Sequence, residues 1–119
     1  MCFVQEYIDA PCLDPELGYE SKEINLIARQ ALDILCYLQS QTPIIVHRDI
    51  KPENLLWSQN KKLYLIDFGL ARNSRTNSEA ASSILAGTLG FMPPEQLLGR
   101  TPNSSSDLYS LGITLVVYY

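Results

Sequence analysis

Cysteine is scarce in this chain, and what there is excludes a disulfide scaffold. Cys2, Cys12 and Cys36 form an odd set without metal-ligand spacing, which points to reduced thiols, with Cys36 expected on a buried helical face. Membrane-length apolar runs are lacking too. The apolar stretch from Leu108 to Tyr119 is too short to span a bilayer, so no membrane contact is visible in the sequence. Nor does the opening Met-Cys-Phe-Val-Gln-Glu-Tyr supply the basic stretch and apolar core of a secretory leader. There is no internal repeat and no low-complexity segment. These absences together lead to the expectation of a soluble, cytoplasmic protein.

What is present suits a globular chain. Of 119 residues, 46% are hydrophobic and 18% charged, enough to bury a core and one domain at most. The formal net charge of −4 is unevenly spread: residues 1–23 hold six acids against Lys22 alone, whereas residues 47–75 hold six basic residues against three acids. Those basic residues sit beside Asp49, Glu53 and Asp67 and have no aromatic interleaving, so no nucleic-acid partner is expected.

The pattern along the chain alternates short strands with two amphipathic or apolar helices. Residues 3–8 read as a strand that turns at Asp9-Ala10-Pro11. Asp14-Pro15-Glu16 reads as a capped helical turn with proline at its start. From about Ser21, the candidate cap, to Ser40, the apolar residues Ile24, Ile27, Ala28, Ala31, Leu35 and Leu38 recur every three or four positions and predict a helix with one buried stripe. It must stop before Thr42-Pro43. Ile44-Ile45-Val46 then reads as a strand, and Leu55-Leu56-Trp57 and Leu63-Tyr64-Leu65-Ile66 form a hairpin around a polar turn. Residues 73–83 read as a mobile loop and 93–98 as a proline-started helical turn. A last helix, capped by Ser106 and running from Asp107 to Tyr119, is apolar almost all round and therefore expected to be buried.

The residues with the most chemistry flank the hairpin. His47-Arg48-Asp49-Ile50-Lys51-Pro52-Glu53-Asn54 precedes it and Asp67-Phe68-Gly69 follows, 13 positions after Asn54. Antiparallel pairing brings those two ends together. A carboxylate and a neutral amide oxygen are hard ligands of the kind Mg²⁺ accepts while it keeps waters and binds phosphates. A lysine two residues from an acid could neutralise a transferred phosphoryl group. Either triplet alone is common turn chemistry; the joint spacing is what carries the signal.

These motifs resemble the catalytic and metal-binding loops of eukaryotic-type protein kinases, and Lys51 suggests the serine/threonine branch. The wording around Pro93-Pro94-Glu95-Gln96 and Asp107-Leu108-Tyr109-Ser110-Leu111-Gly112 is similar to bacterial members. The resemblance implies an α+β fold, part of a protein-kinase-like domain: mainly the helical C-lobe, with a short β-hairpin carrying the catalytic and metal loops. Residues 1–10 would be the hinge strand and 11–119 the N-terminal part of that lobe. It implies catalytic roles for Asp49, the acceptor of the substrate proton, and Lys51. Nucleotide contacts would come from Glu6, Ile8, Lys51, Glu53, Asn54, Leu56 and Asp67, with Asn54 and Asp67 as the metal ligands; Gln5 would limit the back of the nucleotide pocket.

By the same resemblance His47 is structural, packing on Phe68, and Asp107 bonds the catalytic-loop backbone. Arg48 would pair with a phosphate on Ser74, Thr76, Ser78, Ser82 or Ser83, a choice the sequence leaves open alongside an unphosphorylated loop. Gly87-Thr88 and Met92-Pro93-Pro94-Glu95 resemble the end of the activation segment, with Pro93 where the family usually has Ala and with Glu95 expected to lack its usual arginine partner. The implied cofactors are ATP and Mg²⁺, and the implied partner is a protein substrate offering a Ser or Thr hydroxyl. No glycine-rich phosphate loop, Val-Ala-x-Lys strand or helical Glu is present, so the chain is expected to be a central fragment, inactive alone and limited in solubility. Two other classes stay open: a non-catalytic kinase-like interaction fragment or pseudokinase, and a small-molecule phosphotransferase of related fold.

Overall fold

The apolar stripe expected in the first half of the chain nucleates the core. The computed structural model describes residues 2, 4–70, 72–73 and 90–118. Helix α1 spans Ser21–Gln39 and buries Ile24, Ile27, Ala31, Leu35 and Leu38. Its cap is Glu20 rather than Ser21, and no side chain bonds the first turn; the extended backbone of Glu20 accepts from Glu23 and Ile24 N–H at 2.8 and 2.9 Å. Cys36 is exposed, contrary to expectation, because the buried stripe passes through Leu35 and Leu38 and leaves position 36 on the outer face.

Against α1 lie two short antiparallel pairs. Strand β1 (Ile45–Val46) pairs with β4 (Arg72–Asn73), in register Ile45 with Asn73 and Val46 with Arg72. Asn73, expected at the start of a loop, is therefore held in a ladder. Strands β2 (Leu55–Trp57) and β3 (Leu63–Leu65) form the expected hairpin, Leu55 opposite Leu65 and Trp57 opposite Leu63. The α1 side chain of Gln30 closes the hairpin's turn, accepting from Leu63 N–H at 2.9 Å and donating to the Lys61 carbonyl at 2.8 Å. Glu23, one helical turn before Ile27, accepts the Trp57 indole N–H at 2.7 Å and pairs with Lys61 at 2.5 Å.

The expected strand over residues 3–8 is a correction. Among the described residues 4–10 carry no strand, since a strand needs a ladder and none of the described strands pairs with them. The chain joins the sheet just afterwards: Trp57 N–H donates to the Pro11 carbonyl at 2.9 Å and Leu13 N–H to the Leu55 carbonyl at 2.8 Å. The proline-started turn at Pro15–Leu17 forms as predicted, with Asp14 accepting from Glu16 N–H at 2.9 Å.

Two helices complete the described chain, α2 (Pro94–Leu97) and α3 (Ser104–Val116). The start of α3 lies earlier than predicted because Asn103, not Ser106, is the cap: Asn103 accepts from Ser105 N–H, and Ser106 accepts from Asn103 N–H. Nor is α3 buried all round. Leu111 enters the core beside α1, whereas Leu108, Tyr109 and Val116 are exposed on the other side. The core itself gathers Leu13, Ile27, Ala31, Leu35, Leu38, Ile50, Leu55, Trp57, Leu63 and Leu111. Ile50, midway along the 47–54 loop, and Leu55, just after it, are both in it, so the loop is anchored at its middle and at its exit. The architecture is α+β, as expected, with the hairpin packed on α1. Among the described residues no helix is long and apolar enough to cross a membrane.

Candidate functional site

The loop from His47 to Asn54 is fixed by its backbone before any side chain points outward. Asp107, buried in the first turns of α3, accepts His47 N–H on one carboxylate oxygen at 2.7 Å and Arg48 N–H on the other at 2.8 Å. Burial pushes the Asp107 carboxyl above the usual aspartate value, and the Arg48 and His47 N–H groups pull part of the way back. Arg48 has φ 73°, a left-handed backbone costing about 1–3 kcal/mol for a non-glycine residue, so the carboxylate stabilises a strained turn.

His47 is fully buried and locks the loop to the segment after β3. Its Nδ1 accepts from Asp49 N–H at 3.2 Å, which places the proton on Nε2, where it donates to the Ile66 carbonyl at 3.0 Å. Its ring meets Phe68 edge-on with centroids 4.8 Å apart. The structural role expected of His47 is the one it has.

Three of the expected site residues converge. The Asn54 amide donates from Nδ2 to the Asp49 carbonyl at 2.8 Å and to Asp49 Oδ2 at 3.2 Å. Lys51 Nζ lies 3.4 Å from the same Oδ2. Asn54 itself is buried, and its backbone carbonyl accepts from Ile66 N–H at 2.9 Å, so it sits across the hairpin end from Ile66, the residue before Asp67. Asp67 is exposed, with φ 61°, and its Oδ1 accepts from Gly69 N–H at 3.2 Å. A Cβ at position 69 would stand 3.1 Å from that oxygen, which is why glycine suits the place.

The donor set fits a hard cation. Among the described residues no three His, Cys, Asp or Glu side chains cluster, so there is no closed cage of the kind that holds zinc. An amide oxygen and one carboxylate instead match Mg²⁺, which is held by one or two protein ligands together with substrate phosphates and water. With Nδ2 of Asn54 committed to Asp49, Oδ1 is the amide atom turned away from it.

Beside this cluster lies an open cavity of 760 Å³ lined by Gln5, Glu6, Tyr7, Ile8, Ala10, Leu56, Ile66, Asp67, Phe68 and Gly69. It unites Glu6, Ile8, Leu56 and Asp67, four of the residues expected to contact a nucleotide. Glu53 goes elsewhere, because the helical turn at Pro52–Asn54 that buries Asn54 carries the neighbouring side chain to another side. It lines a second hollow of 470 Å³ with Pro52, Phe91, Val117 and the 11–17 segment. Gly87, Thr88 and the five candidate phosphate acceptors lie outside the described residues.

Glu95, expected to lack its usual arginine partner, accepts from a neutral donor, the Ser106 hydroxyl, at 2.7 Å. Sequence reasoning read Ser106 as a cap and gave Ser110 no contact of its own; the hydroxyl of Ser110 donates to the Phe91 carbonyl at 2.6 Å. The Ser, four residues apart on one helix face, were visible in the sequence, but their acceptors were not.

Comparison with known proteins adds a family. The family model described as protein kinase domain matches residues 1–119. The chain is 39% identical over 95% of its length to serine/threonine-protein kinase D of Synechocystis, and 40% identical over 95% to serine/threonine-protein kinase PknA of Nostoc. It is 38% identical over 98% of its length to the probable LRR receptor-like serine/threonine-protein kinase RPK1 of Arabidopsis thaliana. The chain spans 23%, 21% and 23% of those three proteins respectively.

Proposed function

The chain belongs to the protein kinase domain family, with serine/threonine kinases among its relatives, and from that premise we propose that it carries the phosphoryl-transfer centre of an ATP-dependent protein serine/threonine kinase. The observation that carries the reading is the convergence of Asn54 and Lys51 on Asp49, at 3.2 and 3.4 Å from one carboxylate oxygen, beside the cavity lined by Asp67.

In this reading Asp49 orients the acceptor hydroxyl and takes its proton at a carboxylate oxygen, which Asn54 and Lys51 hold in place. Lys51 sets a positive charge where the transferred group passes. Asn54 and Asp67 would hold Mg²⁺, which when bound neutralises phosphate charge. Leu56 and the 5–10 segment cover the base of the nucleotide in the larger cavity, and Asp107 and His47 keep the loop from relaxing. Nothing in these roles requires a covalent intermediate on the protein.

The test is phosphoryl transfer to a generic Ser/Thr peptide by the full-length protein carrying this segment. Asp49→Asn is expected to lower kcat by about 10²–10⁴-fold, the range for loss of a positioned general base. Equal rates for the two proteins would remove Asp49 from the chemistry.

A further inference from the structure

The far end of the hairpin is tied to α1 at two points, one on each strand. On the β2 side the Glu23 carboxylate accepts the Trp57 indole N–H at 2.7 Å, and Lys61 Nζ closes on the same oxygen at 2.5 Å. On the β3 side Gln30 accepts from Leu63 N–H at 2.9 Å and donates to the Lys61 carbonyl at 2.8 Å. Trp57 and Leu63 are partners in register, so both ties act on one rung of the ladder. Trp57 is 6% exposed, and its backbone N–H is taken by the Pro11 carbonyl at 2.9 Å. Ring, indole N–H and backbone of this residue are all fixed at once.

The same ladder ends at Asn54 and Asp67, proposed above to hold Mg²⁺. Three rungs lead from Trp57 and Leu63 to Leu55 and Leu65, and the next bond runs from Ile66 N–H to the Asn54 carbonyl at 2.9 Å. At a rise of about 3.4 Å per residue the pinned rung stands about 10 Å from Asn54. Two hydrogen bonds tie this near end to the catalytic loop, and both go to one residue: Ile66 donates to Asn54 and accepts from His47 Nε2 at 3.0 Å. They fix a point and leave the ribbon's orientation about it open. Leu55, Trp57 and Leu63 also face the core, but apolar contact is non-directional, whereas a hydrogen bond specifies distance and angle. We propose that Glu23 and Trp57 are positioning residues for the metal-binding pair: the indole bond stops the hairpin from pivoting at Ile66 and so sets how the Asp67 carboxylate faces Asn54. Lys61, on the solvent side of Glu23 with 56% of its side chain exposed, adds little to that hold. Both roles rest on the kinase reading, which Asp49→Asn tests separately.

The experiment compares Trp57→Phe, Glu23→Ala, Glu23→Gln and Lys61→Met in the full-length protein. Amide exchange at Gly69, whose N–H is held by Asp67 Oδ1, reads the carboxylate without metal or substrate. Loss of the indole bond predicts exchange about fivefold faster at Gly69 in Trp57→Phe and Glu23→Ala, with Leu35 in α1 unchanged. In steady-state transfer to a generic Ser/Thr peptide, the Mg²⁺ concentration for half-maximal rate is expected to rise about fivefold in the same two proteins, with KM for peptide unchanged. Glu23→Gln keeps an oxygen for the indole, and Lys61→Met removes only the outer charge; both are expected to match the wild type in each assay. Equal Gly69 exchange in all four variants, a Lys61→Met protein as impaired as Trp57→Phe, or a parallel rise in KM for peptide would overturn the positioning role. If Glu23→Ala does not fold, Trp57→Phe against Glu23→Gln decides it, since the first keeps an aromatic ring in the core and the second keeps the acceptor. If the wild-type protein transfers no phosphoryl group the kinase reading falls instead, and Gly69 exchange alone decides whether Trp57 holds Asp67.

Discussion

Arg48 keeps its left-handed backbone, φ 73°, because Asp107, 59 residues later, holds its N–H at 2.8 Å. A strained turn beside Asp49 is thus secured from a helix distant in sequence, and the strain is local while its support is not.

Replacing Asp107 by Asn tests that support. The amide offers one oxygen where the carboxylate offers two, and its NH₂ faces a backbone N–H. Loss of a charged hydrogen bond predicts a destabilisation of about 1.5–3 kcal/mol in urea unfolding, with faster amide exchange at His47 and Arg48. The ionisation of Asp107 has its own signature. Its folded pKa is raised, so the proton-linked part of its contribution is complete below the unfolded value and is lost as pH rises through the folded value, while the two hydrogen bonds of the carboxylate remain. A carboxyl NMR titration is expected to place its midpoint above 3.8.

Glu23 titrates in the opposite sense. Hydrogen bonds from Lys61 and Trp57 hold its carboxyl below 4.5, so its contribution is present above that value and lost as pH falls through the folded one. Trp57 is the single tryptophan of the chain, and its indole bonds Glu23, so its fluorescence reports the titration directly. A midpoint below 4.5 is expected, absent in Glu23→Gln. The Lys61 pair is partly solvated, and a double-mutant cycle on Glu23 and Lys61 is expected to give about 0.2–1 kcal/mol.

Gly69→Ala probes the Asp67 carboxylate, proposed to hold Mg²⁺, without replacing it. The added methyl would stand 3.1 Å from Asp67 Oδ1 and push it aside. The expected result is about fivefold weaker Mg²⁺ dependence of phosphoryl transfer, equivalent to about 1 kcal/mol, with unfolding by urea unchanged.

Thiol titration tests the outer face of α1. Cys2, Cys12 and Cys36 are all exposed, so all three are expected to react with a disulfide reagent without denaturant. A Cys36 that reacts only after unfolding would return it to the core.

What could be read from the sequence is what depends on neighbours along the chain. The stripe from Ile24 to Leu38 gave α1, because a period near 3.6 leaves one buried side. Two strands bracketing Ser58-Gln59-Asn60-Lys61 gave the hairpin, and through it the approach of Asn54 to the Ile66–Asp67 end. Motif resemblance supplied Asp107 as the loop's anchor. What could not be read depends on partners in space. Residues 4–8 have strand composition but no ladder among the described residues, and composition does not contain the ladder. Ser106 reads as a cap from its position alone, yet Asn103 three residues earlier takes that role and frees its hydroxyl for Glu95. Glu53 shares a motif with Asn54 but not a direction, since adjacent residues in a helical turn point about 100–120° apart.

Residues 11–13 are stitched to β2 by two backbone hydrogen bonds, from Trp57 to Pro11 and from Leu13 to Leu55. Leu56, between those bonds, lines the larger cavity while Pro11, Cys12 and Leu13 line the smaller one, so the partition between the two behaves as one plank. A guest that needs more room has to displace the 4–8 side, where Val4 and Tyr7 are 95% and 85% exposed and little opposes their movement. Tolerance for bulky ligands in this cleft is therefore one-sided.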